Sequence, residues 1–320
     1  MSDEIKRIVL IGPVYPYKGG ISHYTGLMYR ALTKKYQTFM VSYRFQYPKF
    51  LYKKEQKDYT NDSFRVKDTR FWVHTANPLN WIRTAGRIRK LNPDLIIVQW
   101  WHPYFAPCYL VLTRLLGKRK ILFICHNVFP HERFPFDRKL TRMVLKRGDA
   151  FIVQSGKDAE DLTSILPGAR FEQAVHPTYN AFKFENMSKE KARQLLLIPM
   201  EEKVLLFFGF VREYKGLKYL IHALPRIRKE CENIRLFVVG DFGNVQNREA
   251  YEKIMEENRV KDVVTVCDGY IPDRGIEKYF AACDLVVLPY VSATQSGIVQ
   301  IAYGFEKPVV VTNVGGLPDV

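Results

Sequence analysis

Three short segments hold residue types able to bind a phosphate-bearing ligand, and a fourth gathers polar residues at a strand end. In Gly209 to Gly216 (GFVREYKG) an apolar run ends in glycine, and Arg212 and Lys215 follow within one loop. Two fixed cations at a strand end neutralise a diphosphate and stabilise it as a leaving group through charge-assisted hydrogen bonds. A solvated basic loop is the plain alternative. In Pro289 to Gly304 (PYVSATQSGIVQIAYG) a small-residue loop leads into a helix starting near Gly297. Ser296, Gly297 and Ile298 would offer backbone N–H groups to an anion there. The alternative is an ordinary helix capped by Ser296.

The third segment is Gly12 to Thr25 (GPVYPYKGGISHYT), where Gly19 and Gly20 precede a helix start. Such glycines let the backbone approach an anion. The spacing is not GxGxxG, so a purely steric role stays equally open. The fourth is Cys125 to Glu132 (CHNVFPHE), which places His126, Asn127, His131 and Glu132 after an apolar strand. No HExxH, no hydrolase-type Ser/His/Asp arrangement and no metal-ligand spacing is present, so no metal is expected. Without a GxGxxG after the first strand of either half, a nicotinamide dehydrogenase is disfavoured.

These segments need strands to hold them. The apolar run Ile5 to Ile11 reads as a strand buried on both faces, and Phe39 to Tyr43, Leu95 to Trp100, Lys120 to Cys125 and Ala150 to Gln154 read as further strands. A helix is expected from about Ile21 to Lys35. Residues 176 to 188 (HPTYNAFKFENMS) lack a period and read as a linker. The rhythm restarts with strands at Val204 to Gly209, Ile234 to Gly240, Val263 to Cys267, Leu285 to Pro289 and Pro308 to Thr312. Helices are expected at Leu217 to Lys229, about Arg248 to Asn258, and Ile276 to Cys283. Strands alternating with helices imply parallel sheets. The fold class is therefore α/β, with two Rossmann-like doubly wound domains at residues 1–178 and 179–320. Ligands of such sheets bind beyond the carboxyl ends of the strands, and two such domains are expected to face a cleft.

Composition bounds the rest. The chain has 320 residues, 47% of them hydrophobic, enough for two cores. Its five cysteines are odd in number and show no CxxC, which argues against a disulfide framework or a structural zinc site. A reducing, cytoplasmic setting is expected, with no signal peptide. The uncharged stretch between Asp94 and Arg114 contains Gln99, His102 and two prolines and does not read as a membrane span. Net charge is +16, and its distribution is one-sided: residues 1–180 hold 30 Lys+Arg against 14 Asp+Glu, and residues 181–320 hold 19 against 19. Cations and aromatics cluster in Tyr43 to Lys57, Trp81 to Lys90, Arg114 to Lys120 and Arg133 to Arg147. Such a surface suits an anionic membrane or a phosphorylated partner, against the plain alternative of a solvated basic face. No nucleic-acid motif accompanies it.

Taken in order, these motifs resemble those of the family 4 retaining glycosyltransferases of the GT-B fold, over essentially the whole chain. The resemblance rests on Gly19-Gly20, His126, Arg212 with Lys215-Gly216, and the block VVVTNVGGLPDV from Val309 to Val320. It implies transfer of a sugar, with retention and without a metal or cofactor, from a nucleoside diphosphate sugar. His126, Arg212 and Lys215 would be the catalytic groups. Gly19, Gly20, Asn127, Glu132, Gly209, Ser296, Gly297 and Ile298 would bind the donor, with its base near Gly240, Asp241, Tyr270 and Ile271. The first domain would take a lipid-linked or saccharide acceptor in cell-surface polysaccharide or glycolipid synthesis, with peripheral contact at the inner membrane face.

Two features depart from the family pattern. Its Glu-x7-Glu pair is replaced by the run Ser292 to Gln300, so backbone N–H groups would take the phosphate. The sequence also stops at Val320 where the family continues, so a shortened second domain is expected. A nucleotide-sugar epimerase, using Glu132, His126 and His131 as acid and base, is a competing class. A non-catalytic nucleotide-sugar-binding protein is another.

Overall fold

The computed structural model describes residues 5–52, 55–59, 62, 64–130, 134–174, 176–293 and 295–319. The chain divides into two compact units, Met1–Ala174 and Val175–Val320. Each is a parallel sheet flanked by helices.

The first unit holds strands β1 (Arg7–Ile11), β2 (Gln37–Phe45), β3 (Arg70–His74), β4 (Leu95–Trp100), β5 (Lys120–Cys125), β6 (Ala150–Val153) and β7 (Phe171–Gln173). Its helices are α1 (Gly20–Leu32), α2 (Pro78–Lys90), α3 (Ala106–Leu115), α4 (Asp137–Leu145) and α5 (Gly156–Ile165). The sheet order is β3-β2-β1-β4-β5-β6-β7, with every pair parallel. The order reverses between β1 and β4, so the loops after these two strands flank a switch point. Residues Ile8 to Ile11 are almost wholly buried, as a strand covered on both faces requires.

Strands β3 and β7 and helix α2 lie outside the elements expected from the sequence. Exposed Phe71 and the short, polar β7 blunt the apolar signal of edge strands. Helix α2 does carry a local start signal. Pro78 occupies its first turn, and the Asn77 side chain accepts from the Asn80 N–H at 3.1 Å.

The second unit holds α6 (Lys189–Leu195), β8 (Lys203–Phe208), α7 (Leu217–Glu230), β9 (Ile234–Gly240), α8 (Val245–Glu257), β10 (Val264–Asp268), α9 (Asp273–Ala282), β11 (Leu285–Leu288), α10 (Gly297–Gly304) and β12 (Val309–Val311). Its sheet order is β10-β9-β8-β11-β12, again parallel throughout. The switch point falls between β8 and β11. The loops after them are the two segments singled out for a diphosphate. Two parallel α/β sheets of this kind are the architecture expected from the sequence.

The segment read as a linker is packed instead. Tyr179 and Phe182 are buried, and the Tyr179 N–H donates to the Gln300 carbonyl on α10. The buried Glu277 carboxylate of α9 accepts from the N–H groups of Phe184, Glu185 and Met187 at 2.8–2.9 Å. An aperiodic segment shows no pattern in sequence when its anchors are aromatics and a remote carboxylate.

Two glycines fix how the loops of the second unit stack. At Gly216 (φ +67°) a Cβ would lie 1.8 Å from the Pro289 carbonyl oxygen, and at Gly240 (φ +148°) it would lie 1.8 Å from that of Gly209. Neither contact can relax through a rotamer, because the obstacle is backbone. Gly216→Ala and Gly240→Ala should each cost about 3 kcal/mol or more, read as a lowered denaturation midpoint. Gly168→Ala, where a Cβ meets nothing within 4 Å, should stay within about 0.5 kcal/mol.

Candidate functional site

In the second unit the interlocked glycines bring three strand ends together. The Val211 N–H donates to the Asp241 carbonyl, and the Gly269 N–H donates to the Gly240 carbonyl, tying the loops after β8, β9 and β10 into one layer. The Val291 N–H donates to the Tyr214 carbonyl at 2.7 Å, adding the loop after β11. A Cβ on Gly209 would sit 3.9 Å from Ile298, so the start of α10 lies beside the end of β8.

Lys215 is half-buried in this layer, and its ammonium faces a tyrosine rather than solvent. Nζ donates to the Tyr290 hydroxyl at 2.6 Å and lies 3.8 Å from that ring's centroid. The Tyr290 hydroxyl is 3.4 Å from Ser296 Oγ. Burial lowers the Lys215 pKa to about 8 and raises that of Tyr290, so the tyrosine stays neutral. A cation with no anionic partner among the described residues, held under a ring, is poised to gain from an arriving anion.

Arg212 is exposed, and among the described residues its guanidinium has no partner. Ser296 is buried at the N-cap position of α10, yet its side chain makes no capping bond. This corrects the plain capped-helix reading: the hydroxyl turns to Tyr290 and leaves the first N–H groups of α10 without a side-chain cap.

Beside this layer, a recess of about 620 Å³ is lined by Asp241, Gly243, Asn244, Arg248, Asp268 and Gly269 among others. Asp241 Oδ1 accepts from the Gly243 N–H at 2.7 Å, and Asp268 Oδ1 accepts from the Phe242 N–H at 3.2 Å. Of the residues expected near a base, Asp241 therefore lines the recess. Gly240 sits at the strand end behind it. Tyr270 and Ile271 follow Gly269, with the Tyr270 ring partly exposed.

In the first unit, Gly19 (φ +105°) precedes α1, and a Cβ on Gly19 or Gly20 would meet nothing within 4 Å. The glycine pair thus opens space at a helix start. His126 is buried at the end of β5, and its Nε2 donates to Gln99 Oε1 at 2.6 Å. Its ring lies edge-on to Tyr24, with centroids 4.8 Å apart. Gly12 permits this contact, since a Cβ there would fall 2.5 Å from Gln99 Cγ. Asn127 follows His126 in the loop. His131 and Glu132 lie outside the described residues, so the convergence of His126, Asn127, His131 and Glu132 is described only for the first two.

Three residues that hold these groups were not singled out from the sequence. Gln99 is the polar interruption in an apolar strand, and Tyr290 directly follows Pro289. Asp158 was legible as the acid of a Ser155-x-x-Asp158 capping box. The Asp158 N–H donates to Ser155 Oγ at 3.1 Å, and that hydroxyl donates to Asp158 Oδ2 at 2.7 Å. Asp158 Oδ1 also accepts from the Val128 N–H at 3.0 Å. The Trp100 indole donates to the Val128 carbonyl at 3.2 Å. The loop carrying His126 is therefore pinned at both sides of residue 128.

Residues 18–172 match the family model described as Glycosyltransferase Family 4, and residues 202–320 match the one described as Glycosyl transferases group 1. The chain thus carries these two glycosyltransferase domains in order, one in each unit. A stretch of 152 residues, 46% of the chain, is 29% identical to an uncharacterized glycosyltransferase of Methanocaldococcus jannaschii and covers 38% of it. Another of 164 residues, 50% of the chain, is 27% identical to a D-inositol 3-phosphate glycosyltransferase of Corynebacterium efficiens and covers 37% of it. The chain matches less than two fifths of the length of these relatives. Among solved structures, an Anabaena protein, HepE, in complex with UDP and glucose superposes with a TM-score of 0.70 at 17% identity, covering 97% of this chain and 82% of that one. Sucrose-phosphate synthase from Thermosynechococcus elongatus gives 0.69 at 17%, with the same two coverages. The fold is that of the GT-B glycosyltransferases.

Burial pushes the Asp158 carboxyl up to about 6. A carboxyl whose folded pKa is raised binds more protons folded than unfolded between its ordinary value and about 6, so its contribution falls as pH rises through that window. Asp158→Asn removes the titration. The melting temperature of the wild type relative to Asp158→Asn should therefore decline from pH about 4 to about 7. A difference that stays constant with pH would place the titration elsewhere.

Proposed function

We propose that this protein is a glycosyltransferase that takes a sugar from a nucleoside diphosphate sugar, with the diphosphate held in the second unit. The observation that carries the reading is the Lys215 ammonium, which lies at the β8/β11 switch point on Tyr290 with no carboxylate partner among the described residues. The same loop layer carries Arg212, partnerless among the described residues, and the N–H groups of Gly297 and Ile298 at the start of α10. An incoming diphosphate gains two cations and a helix N-terminus at once.

These groups supply the field that would otherwise come from a metal, so the proposed reaction is metal-independent. The proposed stereochemical course is retention, in which the departing phosphate takes the acceptor proton and no enzymic nucleophile is needed. The nucleotide base is assigned to the recess at Asp241 and Gly269, which has room for it. One protein of this fold, the Anabaena HepE, is solved both with UDP and glucose and with UDP-glucose, which supports a donor of that type. Gly19 and Gly20, at the switch point of the first unit, and His126 and Asn127, after the neighbouring strand β5, are read as ligand-facing groups. That unit is assigned the acceptor, lipid-linked or saccharide, and its charge excess supports contact with an anionic membrane from the cytoplasmic side.

The direct test is a thermal-shift panel of UDP, GDP and ADP with EDTA present. One nucleotide should raise the melting temperature by mass action. Arg212→Ala should weaken that nucleotide about tenfold or more, the scale of one charge-assisted contact. If the shift survives the substitution, the diphosphate lies elsewhere. With the matching nucleotide sugar, release of nucleotide indicates transfer or slow hydrolysis, and conversion to an isomer would indicate an epimerase instead.

Lys215 adds a pH signature. Nucleotide affinity should fall as pH rises through about 8, where the free protein loses the ammonium proton. Binding near that pH should take up a proton, measurable by calorimetry in buffers of different ionisation enthalpy. Without ligand, desolvation makes the same charge a cost, present below about pH 8 and relieved as pH rises toward the unfolded value. Lys215→Met should therefore stabilise the free protein by about 1 kcal/mol near neutral pH, a modest gain because the side chain is only half-buried. The same substitution should abolish nucleotide binding.

A further inference from the structure

The first unit contains a pocket of about 450 Å³ at the carboxyl end of β2, formed where the chain leaves Phe45 and folds back toward the loop before α1. The returning segment is tied down firmly. The Lys18 N–H donates to the Gln56 carbonyl at 3.0 Å, the Asp58 N–H donates to the Pro16 carbonyl at 2.7 Å, and Tyr17 and Lys57 form an antiparallel bridge. The Gln56 side chain clamps the Tyr47 backbone from both sides. Its Nε2 donates to the Tyr47 carbonyl at 2.8 Å, and its Oε1 accepts from the Tyr47 N–H at 3.1 Å.

The walls are rings held in place. The Trp101 indole donates to the Tyr47 hydroxyl at 2.8 Å, and the Tyr47 and Tyr52 rings stack with centroids 6.0 Å apart and planes 18° apart. Tyr17 donates its hydroxyl to the Tyr43 carbonyl at 2.9 Å and offers its face to the Lys57 ammonium at 5.2 Å. Burial raises the pKa of both Tyr17 and Tyr47, so both hydroxyls stay neutral.

Charge completes the picture. Arg44, Lys49 and Lys57 line the pocket, against the single acid Glu55. Among the described residues none of the three cations has an ion-pair partner, and Lys57 meets the Tyr17 ring alone. A bare solvated surface has no reason to pre-order tyrosines under unpaired cations. A ligand that is part ring and part phosphate does, since sugar C–H faces pack on aromatic rings while phosphate oxygens take charge-assisted hydrogen bonds.

We propose that this pocket is the acceptor site and that the acceptor is a phosphorylated saccharide, its ring on Tyr47 and Tyr52 and its phosphate between Arg44, Lys49 and Lys57. The proposal rests on the glycosyltransferase reading for the word acceptor. The site and its ligand class stand on the pocket alone. The phosphate can belong to a free sugar phosphate or to a lipid headgroup, with the same chemistry recognised in either case.

The test uses the full chain and calorimetric titration with D-glucose 6-phosphate, glucose and inorganic phosphate. Vesicles of phosphatidylcholine doped with phosphatidylinositol or phosphatidylglycerol form a second arm. The expected result is that glucose 6-phosphate binds about tenfold or more tightly than either fragment, and that Arg44→Ala/Lys49→Ala weakens it by a similar factor, as loss of two charge-assisted contacts requires. If only phosphatidylinositol vesicles bind, and lose binding in the double variant, the same chemistry comes from a lipid headgroup. Equal binding of both anionic vesicle types, or of phosphate and glucose 6-phosphate, would reduce the pocket to a charged surface and overturn the proposal. So would binding that survives the double variant, or no binding to any probe. Both substituted side chains are exposed, and a melting curve of the variant checks its fold. A parallel titration with UDP reports the second unit separately, so a failed acceptor site and a failed donor site give different results.

Discussion

Close approach of backbone to backbone at Gly216 and Gly240 is the constraint on which the second unit's chemistry depends. A parallel sheet sends every strand's carboxyl end the same way, so its loops compete for one small area. Here they share it because two positions have no Cβ and adopt a left-handed or extended positive-φ backbone that other residues resist. The carbonyls of Pro289 and Gly209 occupy the vacated space. That packing lets Lys215, on the loop after β8, reach Tyr290, on the loop after β11. A side chain on Gly216 would push the Pro289 loop away by about a methyl group's width, enough to break a 2.6 Å hydrogen bond.

The two units hold their loops by a common physical device, a buried charged or polar group that collects otherwise unpaired backbone groups. Glu277 collects three N–H groups of the segment that enters the second unit. Arg193, 1% exposed, donates to the carbonyls of Ala282, Pro199 and Met200 and to Asp284 Oδ2. In the first unit Asp158 accepts from the Val128 N–H of the His126 loop and from the Ser155 hydroxyl. Burying a charge is costly unless it is fully hydrogen-bonded, and each of these has several partners. Lys215 differs. Among the described residues its one hydrogen bond goes to a neutral hydroxyl, and that shortfall of partners sets it apart from the structural charges.

The one-sided charge of the chain acquires a location in the same way. The excess of Lys and Arg lies in the first half of the sequence, but most of those residues are spread over helices and turns. At the end of β2 three of them surround ordered tyrosines, which converts a general electrostatic tendency into a specific pocket. Exposed Phe50 and Leu51 lie in the same stretch. An apolar and basic stretch of this kind suits a ligand presented at an interface.

By itself, the sequence determined the alternation of strands and helices, and hence parallel sheets. Strands β4, β5 and β9 fall where their apolar runs predicted, because burial on both faces leaves a continuous local signature. It also set the order of the chemical segments and placed Arg212 and Lys215 directly after a strand. Edge strands β3 and β7 lacked that signature, and the entry to the second unit looked like a linker because its anchors lie about ninety residues away at Glu277. Only the tertiary structure decided strand order, and with it the partners of each functional side chain. Lys215 meets Tyr290 across 75 residues and His126 meets Gln99 across 27. Periodicity reports which face of an element is buried, whereas these pairings depend on which strands become neighbours in the sheet.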